Sequence, residues 1–436
     1  MTQFSLKRLA VNPTETIYLN HPKLDAFLSL NKTKEFLANA AADIFSNDNP
    51  EYYTPGMELE VLSQGVVRLL INAPATGFKL IFNEKNSTSQ GSDVYALEVT
   101  KDYVAFLSKN ESGPANILAT TKSIPALLEP GVDCYYWFSV DKKNKLLKYG
   151  KGDATQSLTL LTYSVKENFL KNLKYVGSSL DWSTITKRKI YELPVTIQLP
   201  PFVIGNEDIT LEDIEAGVIT SVGNLPKECQ MLHSVVAGPK IILTDEIIVG
   251  IRGSLKNGKL KEILDKKGEQ HADPKESYLR ITLGMDMGYS PGVPFVLELW
   301  PGNGHYSPIH THSDAYAIIK VLHNAIDCFF YPDLRKQDIK PYLKATFKKD
   351  QVTYLTPTLY RTHKLYNPTD DFTATLQCYR YASEDKVHYE TFDFLNDKLE
   401  VDTFVPNTDL TYTQLKDVLK KEGYLTTPLK SKSEAA

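Results

Sequence analysis

The chain has 436 residues, 49 basic against 53 acidic side chains, a formal charge of −4, and 42% hydrophobic residues. That length exceeds what one core usually organises, so two domains are expected, each able to bury a sizeable core. The near-balanced, dispersed charge excludes the electrostatic footprint of a nucleic-acid binder or of a protein held to an acidic membrane, and no apolar run is long enough to cross a bilayer.

The opening stretch, MTQFSLKRLAVNPTETIYLN, lacks the apolar block of a secretion signal, and a cytoplasmic location is the expectation. Cys134, Cys229, Cys328 and Cys378 are far apart in sequence, which predicts free buried thiols rather than a zinc or redox motif. The 25 tyrosines, set among short alternating runs of Val, Ile, Leu and Thr, predict a mainly β protein with a few short helices.

Within residues 1–50, Leu24, Phe27 and Leu28, then Phe36, Leu37, Ala40, Ala41 and Ile44, recur at helical spacing and predict a helical segment. From Gly56 the texture changes to VVRLLINA, GFKLIFNE, DVYALEVT and YVAFLSKN, each bounded by Gly, Asn, Ser or Pro, which predicts an antiparallel β-sandwich over residues 51–190. CYYWFSVDKKNKLLKYGKG, residues 134–152, reads as a hairpin turned at DKKNK, with Trp137 and Tyr149 on adjacent strands. The strand ending in AFLS, the Tyr/Trp-rich strand and the strand closing on YGKG resemble the β-sandwich module named after farnesoic acid O-methyltransferase, over about residues 55–185. No glycine-rich loop joins a strand to a helix there, so no methyl-donor site is expected. The aromatic residues are expected to pack internally, with a glycan or protein contact as the alternative.

Residues 191–275 form a connector and the start of the second domain. The prolines of YELPVTIQLPPFV predict an extended crossing, and TLEDIEAG a short helix boxed by Thr210 with Asp213 and stopped by Gly217. SVVAGPKIILTDEIIVGI, residues 234–251, reads as strands. A strand-rich block follows over residues 276–405. Residues 406–436 offer a helix, TYTQLKDVLKKEG, with Leu415, Val418 and Leu419 on one face, and then a Lys/Ser-rich tail.

Chemistry concentrates in FVLELWPGNGHYSPIHTHSDAYAIIKVL. An apolar strand enters a glycine-rich turn, and on the strand behind it His310 and His312, two residues apart, point to one face and can grip a metal ion together. The Gly302-Asn303-Gly304 run precedes Pro308 and a strand, not a helix, so it is no dinucleotide loop. About fifty residues on, His363 with Asn367 four positions later supplies a further ligand. This G-x5-H-x-H and H-x3-N spacing, filled by Gly304, His310, His312, His363 and Asn367, is similar to that of the cupin barrel. The place of the usual cupin glutamate holds Tyr316, and that of a turn glycine holds Asn324. A site of three neutral imidazoles accepts Fe(II), Zn(II) and other divalent ions, and Asp314 is an alternative carboxylate ligand if the strand stays regular. His305 and His323 are expected to face solvent.

Over about residues 230–400 the chain resembles cysteine dioxygenase, the thiol-oxidising branch of the cupins. Gly302, Gly304, Ser307, Ile309, His310 and His312 fit that family's glycine-serine-histidine stretch; Tyr278 and Arg280 fit its Y-x-R; His363, Lys364 and Asn367 fit its third-ligand element; Thr375, Gln377 and Tyr379 stand where it has Ser, His and Tyr. The resemblance implies a C-terminal cupin β-barrel holding Fe(II) on His310, His312 and His363. It implies substrate contacts from Arg280, Tyr278 and Gln377, with Tyr379 in a catalytic role. It implies oxidation of L-cysteine or a related small carboxylated thiol by dioxygen. Two departures stand out: Ala317 replaces the cysteine that animal members cross-link to the tyrosine, and Gln377 removes a titratable group. A cupin enzyme of other chemistry and a non-catalytic ligand- or glycan-binding protein are the competing readings.

Overall fold

The computed structural model describes residues 5–8, 17–18, 54–72, 74, 76–86, 94–109, 115–165, 172–195, 198–286, 293–335, 340–382, 385 and 391–425. Of the helical segment expected over residues 1–50, the residues 24–44 that carry its spacing lie outside the described residues, while Ser5–Arg8 and Ile17–Tyr18 are strands, which corrects the expectation there. Two compact units divide the chain: residues 10–198, and residues 199–436 together with residues 1–9. The expected mainly β class holds in both.

The first unit is a sandwich of a five-stranded and a seven-stranded antiparallel sheet. Alternation along Asp133–Asp141 sends Cys134, Tyr136, Phe138 and Val140 into the shared core. There Phe138 meets Phe82 edge-on at 4.7 Å and stacks on Phe106 at 5.2 Å, closing one sheet on the other. The expected hairpin forms, with Tyr149 opposite Phe138 and Gly150 opposite Trp137. A Cβ at Gly150 would lie 2.2 Å from the Trp137 ring, so the small residue in YGKG makes room for the indole. Tyr136, Trp137 and Tyr149 are all fully buried, and the Tyr149 hydroxyl donates to the Ala126 carbonyl. These aromatic residues are core, and none of them is presented to solvent.

The second unit also has two sheets. The eight-stranded sheet runs Ile219–Ser221, Phe202–Ile204, Val352–Leu355, Tyr316–His323, Thr373–Arg380, Val293–Trp300, Leu279–Asp286, Leu410–Thr411. The seven-stranded sheet runs Ser5–Arg8, Leu343–Lys348, Ala325–Phe330, Thr362–Tyr366, His310–Thr311, Phe392–Leu395, Val401–Phe404. Phe202 of the first packs on Phe347 of the second at 4.5 Å, and His312 stacks on Tyr379 across the same interior. The barrel expected from the sequence is therefore realised as two facing sheets, not as one continuously bonded closed sheet. The edge strand Ser5–Arg8 pairs antiparallel with Leu343–Lys348, a pairing between segments over 330 residues apart.

The stretch read as strands at residues 234–251 holds no strand: it spans the end of the helix Lys227–Val236, an irregular connection over residues 237–244, and the start of the helix Asp245–Asn257. Its β-branched residues favour strands, but local signals overrule them. The Thr244 side chain accepts from the Ile247 amide, Asp245 and Glu246 occupy the first turn, and Ile248, Ile251 and Ser254 share the buried face at helical spacing. The two short helices expected at TLEDIEAG and TYTQLKDVLKKEG form, and Lys259–Gly268 is a further helix that the sequence reading did not anticipate. Leu211–Ala216 carries the Thr210–Asp213 capping box and ends on left-handed Gly217, while Tyr412–Lys421 buries Leu415 and Leu419. All four cysteines are buried and free, and Cys229 of the Lys227–Val236 helix packs beneath Ala317 and Leu355.

Candidate metal centre

The turn ahead of the histidines is built as its sequence suggests. Asn303 and Gly304 adopt positive φ (64° and 89°), and a Cβ on Gly304 would lie 2.9 Å from the Tyr366 hydroxyl. Asn367 is fully buried and clasps this turn: its Nδ2 donates to the carbonyls of Trp300, Pro301 and Asp371, and its Oδ1 accepts from the amide and hydroxyl of Thr369. Asn367 thus holds the loop and is not itself a ligand.

Cross-strand pairing sets His310 directly opposite His363, and His312 follows from the end of the short His310–Thr311 strand. Ligand atoms of the three imidazoles lie within 4.8 Å of one another. The Nδ1 atoms of His310 and His363 face the carbonyls of Pro308 (3.0 Å) and Arg361 (3.2 Å), which assigns the proton to Nδ1 and leaves Nε2 a lone pair. His363 Nε2 and both nitrogens of His312 are buried without a hydrogen-bond partner. An orphaned buried polar atom costs about 1–3 kcal/mol, and here the orphans converge, as they would around a cation.

Burial drives all three imidazoles toward the neutral form. His310 falls to about 4, and His312 and His363 fall well below their ordinary range, the histidines' mutual repulsion adding to burial. Three uncharged nitrogen donors with no acid beside them therefore fit a divalent metal ion, with its charge left unneutralised. Asp314 is exposed, because Ser313 turns the chain with φ 53° immediately after His312. The alternative in which it joins the ligand set is corrected. His305 and His323 are half-buried and engaged, on Ser277 O (2.9 Å) and Asp371 (3.4 Å), so the expectation of solvent-facing side chains is corrected too.

The opposite sheet lays a polar row against the imidazoles. Tyr379 stacks on His312 with ring centroids 4.9 Å apart, and its hydroxyl donates to Gln377 Oε1. Gln377 Nε2 donates to Glu298 Oε2, and Glu298 Oε1 accepts from Arg280 Nη1 at 3.0 Å. The Arg280 guanidinium lies 5.9 Å from the Tyr379 ring centroid, and Tyr278 stacks on Trp300 at 4.2 Å beside it. Phe392, 4.4 Å from His312, and Phe404, 6.4 Å from His310, wall the other side. Ala317 is the cross-strand partner of Tyr379, so the side chain nearest in register is a methyl group and no thioether can form from it.

The tertiary structure thus brings His310, His312, His363, Tyr379, Gln377, Arg280 and Tyr278 into one interior. Sequence reasoning missed Glu298. The signal was present in FVLELW, where one acid interrupts an apolar strand, since an acid in such a place is buried only when paired. His271, Glu276 and Asp397 form a second, more exposed convergence of ligand-type atoms on the surface of this unit.

No family model matches the chain, and no curated protein matches it in sequence. Solved structures similar to parts of it include a cupin 2 conserved barrel domain protein from Salinispora arenicola (16% identity, 25% of this chain and 78% of that one, TM-score 0.19). Sheep galectin-11 in complex with glycerol is another (12% identity, 33% and 99%, TM-score 0.24). So is an oxalate oxidase in complex with the substrate analogue glycolate (16% identity, 25% and 53%, TM-score 0.20). Likenesses this partial carry no chemistry across, and the site's own residues must do so.

Proposed function

We propose that this chain is a non-haem iron thiol dioxygenase, which converts L-cysteine or a related small carboxylated thiol, with dioxygen, to the sulfinic acid. The observation that carries the reading is the buried, neutral, three-imidazole set without a carboxylate, faced by a guanidinium and a phenol. Fe(II), when held by His310, His312 and His363, supplies a redox-active Lewis acid whose undiminished charge favours an anionic thiolate and permits its reaction with dioxygen. The reaction balances as thiol plus dioxygen to sulfinic acid, with both oxygen atoms ending on sulfur.

The chain's own residues bind and orient. Arg280 offers the substrate carboxylate a planar, two-pronged contact that lysine could not imitate. Tyr379, anchored by its hydroxyl on Gln377, holds its ring against His312 and limits the ways that imidazole can turn. Phe392 and Phe404 keep bulk water from the imidazoles and preserve the low dielectric in which a charged substrate group is worth most.

Anaerobic reconstitution with Fe(II) followed by oxygen-electrode assay with cysteine tests the reading. One iron per chain, one dioxygen consumed per thiol and a sulfinate product are expected, and His363→Ala should abolish both iron retention and uptake. Iron that fails to bind, or an absence of oxygen uptake across a panel of small thiols, would refute it. Arg280→Gln should weaken carboxylated thiols far more than cysteamine.

A further inference from the structure

Glu298 is a buried carboxylate that the chemistry above leaves unused. Its side chain is 3% exposed and that of its partner Arg280 10%. Register fixes the pairing, because Glu298 lies opposite Arg280 on one neighbouring strand and opposite Thr375 on the other. The groups that face it are few. Arg280 and the Tyr278 phenol come from one side, Gln377 and, through it, Tyr379 from the other; Lys267 and Asp409 lie further out, already bonded to each other at 2.8 Å. The one cation in direct contact with Glu298, among the described residues, is therefore the guanidinium that a substrate carboxylate would also need.

Two carboxylates cannot share one buried guanidinium with both ionised except at high cost. On the thiol-oxidising reading of this site, we infer that Glu298 competes internally with the substrate carboxylate for Arg280, and so sets the discrimination between thiols that carry a carboxylate and thiols that do not. A thiol without a carboxylate leaves the Arg280–Glu298 pair intact. A carboxylated thiol displaces Glu298, which loses the charge that kept it ionised and takes up a proton. Burial already raises Glu298 to about 7, against the pull of Arg280, so that proton is available near neutral pH. The sign follows: binding coupled to proton uptake weakens as pH rises, by about tenfold per unit once Glu298 is ionised in the free protein.

The test uses the Fe(II)-loaded protein under strict anaerobiosis, so that binding is read without turnover. Dissociation constants are measured for 3-mercaptopropionate and 2-mercaptoethanol over about two pH units around neutrality. Any loss of the sulfur proton on binding would be common to both thiols, so the ratio of the two constants isolates the carboxylate. The ratio should move against 3-mercaptopropionate by about tenfold per unit above pH 7 and flatten below it. Glu298→Gln should remove this dependence and, at pH 8, tighten 3-mercaptopropionate by about tenfold while leaving 2-mercaptoethanol unchanged. A ratio independent of pH in the unsubstituted protein overturns the inference, as does a variant that shifts both thiols equally; should the variant not fold, the first measurement decides alone. If neither thiol binds, both proposals fall. A pH-dependent ratio without oxygen uptake in air refutes the dioxygenase reading and leaves the competition standing, whereas normal uptake with a flat ratio refutes the competition only.

Discussion

Replacing Asn367 by Ala should destabilise the second unit more than any surface substitution, because this one amide serves five hydrogen-bonding partners at 2.8–3.0 Å. Its two amide hydrogens serve three carbonyls, so one hydrogen is shared, and the side chain makes four effective bonds. At about 1 kcal/mol net for each, the loss comes to about 4 kcal/mol, near the upper end of what single substitutions cost. With a urea slope of about 3 kcal/mol per molar for a unit of this size, the unfolding midpoint should fall by about 1.3 M. Asn367→Asp keeps the volume and the acceptor but aims a carboxylate at the carbonyls of Trp300, Pro301 and Asp371, so it should be at least as harmful as Ala. Equilibrium urea unfolding followed by tryptophan fluorescence is suited to the measurement, since Trp300, whose carbonyl Asn367 holds, is the one tryptophan of the second unit, Trp137 and Trp182 belonging to the first. A midpoint within about 0.3 M of the unsubstituted protein would show that Asn367 does not hold the turn and would refute the reasoning.

Other expectations follow from the same interior. Metal-free protein should lose stability as pH falls from about 6.5 toward 4, because the unfolded chain then protonates imidazoles that the folded one keeps neutral; His310 alone contributes on the order of 3 kcal/mol. Thermal melts across that range check it, and a flat profile would contradict the neutral triad. Gly304→Ala should cost about 1–3 kcal/mol, since its φ of 89° and the Tyr366 hydroxyl at 2.9 Å both oppose a Cβ, with a melt indistinguishable from the parent as the contrary result. Arg280→Gln strands Glu298 in the interior and should cost about 3–5 kcal/mol at pH 8, and less at pH 6, where Glu298 can hold a proton. Equal costs at the two pH values would show that the pair is not electrostatically coupled.

Local signals and local structure agree wherever the deciding interactions lie close in sequence. The hairpin of residues 134–152 needs only alternation and a polar turn. The Thr210–Asp213 box and the Thr411 cap need only neighbours three residues apart. His310 and His312 announce themselves because residues two apart on an extended chain share a face. The stretch at residues 234–251 misleads for the same reason in reverse, since its Ile and Val residues suggest strands while Thr244 and the spacing of Ile248, Ile251 and Ser254 make a helix.

The amino-acid order by itself determined the mainly β class and marked His310 and His312 as a pair on one face, because periodicity and close spacing are properties of short segments. Only the tertiary structure decided that Ser5–Arg8 completes the second unit, that Asp314 turns away at Ser313, and that Glu298 rather than solvent faces Arg280. The first and the last depend on strand register between segments remote in the chain, the second on the left-handed turn at Ser313. A shift of one residue would send the same side chains to the opposite face of the sheet.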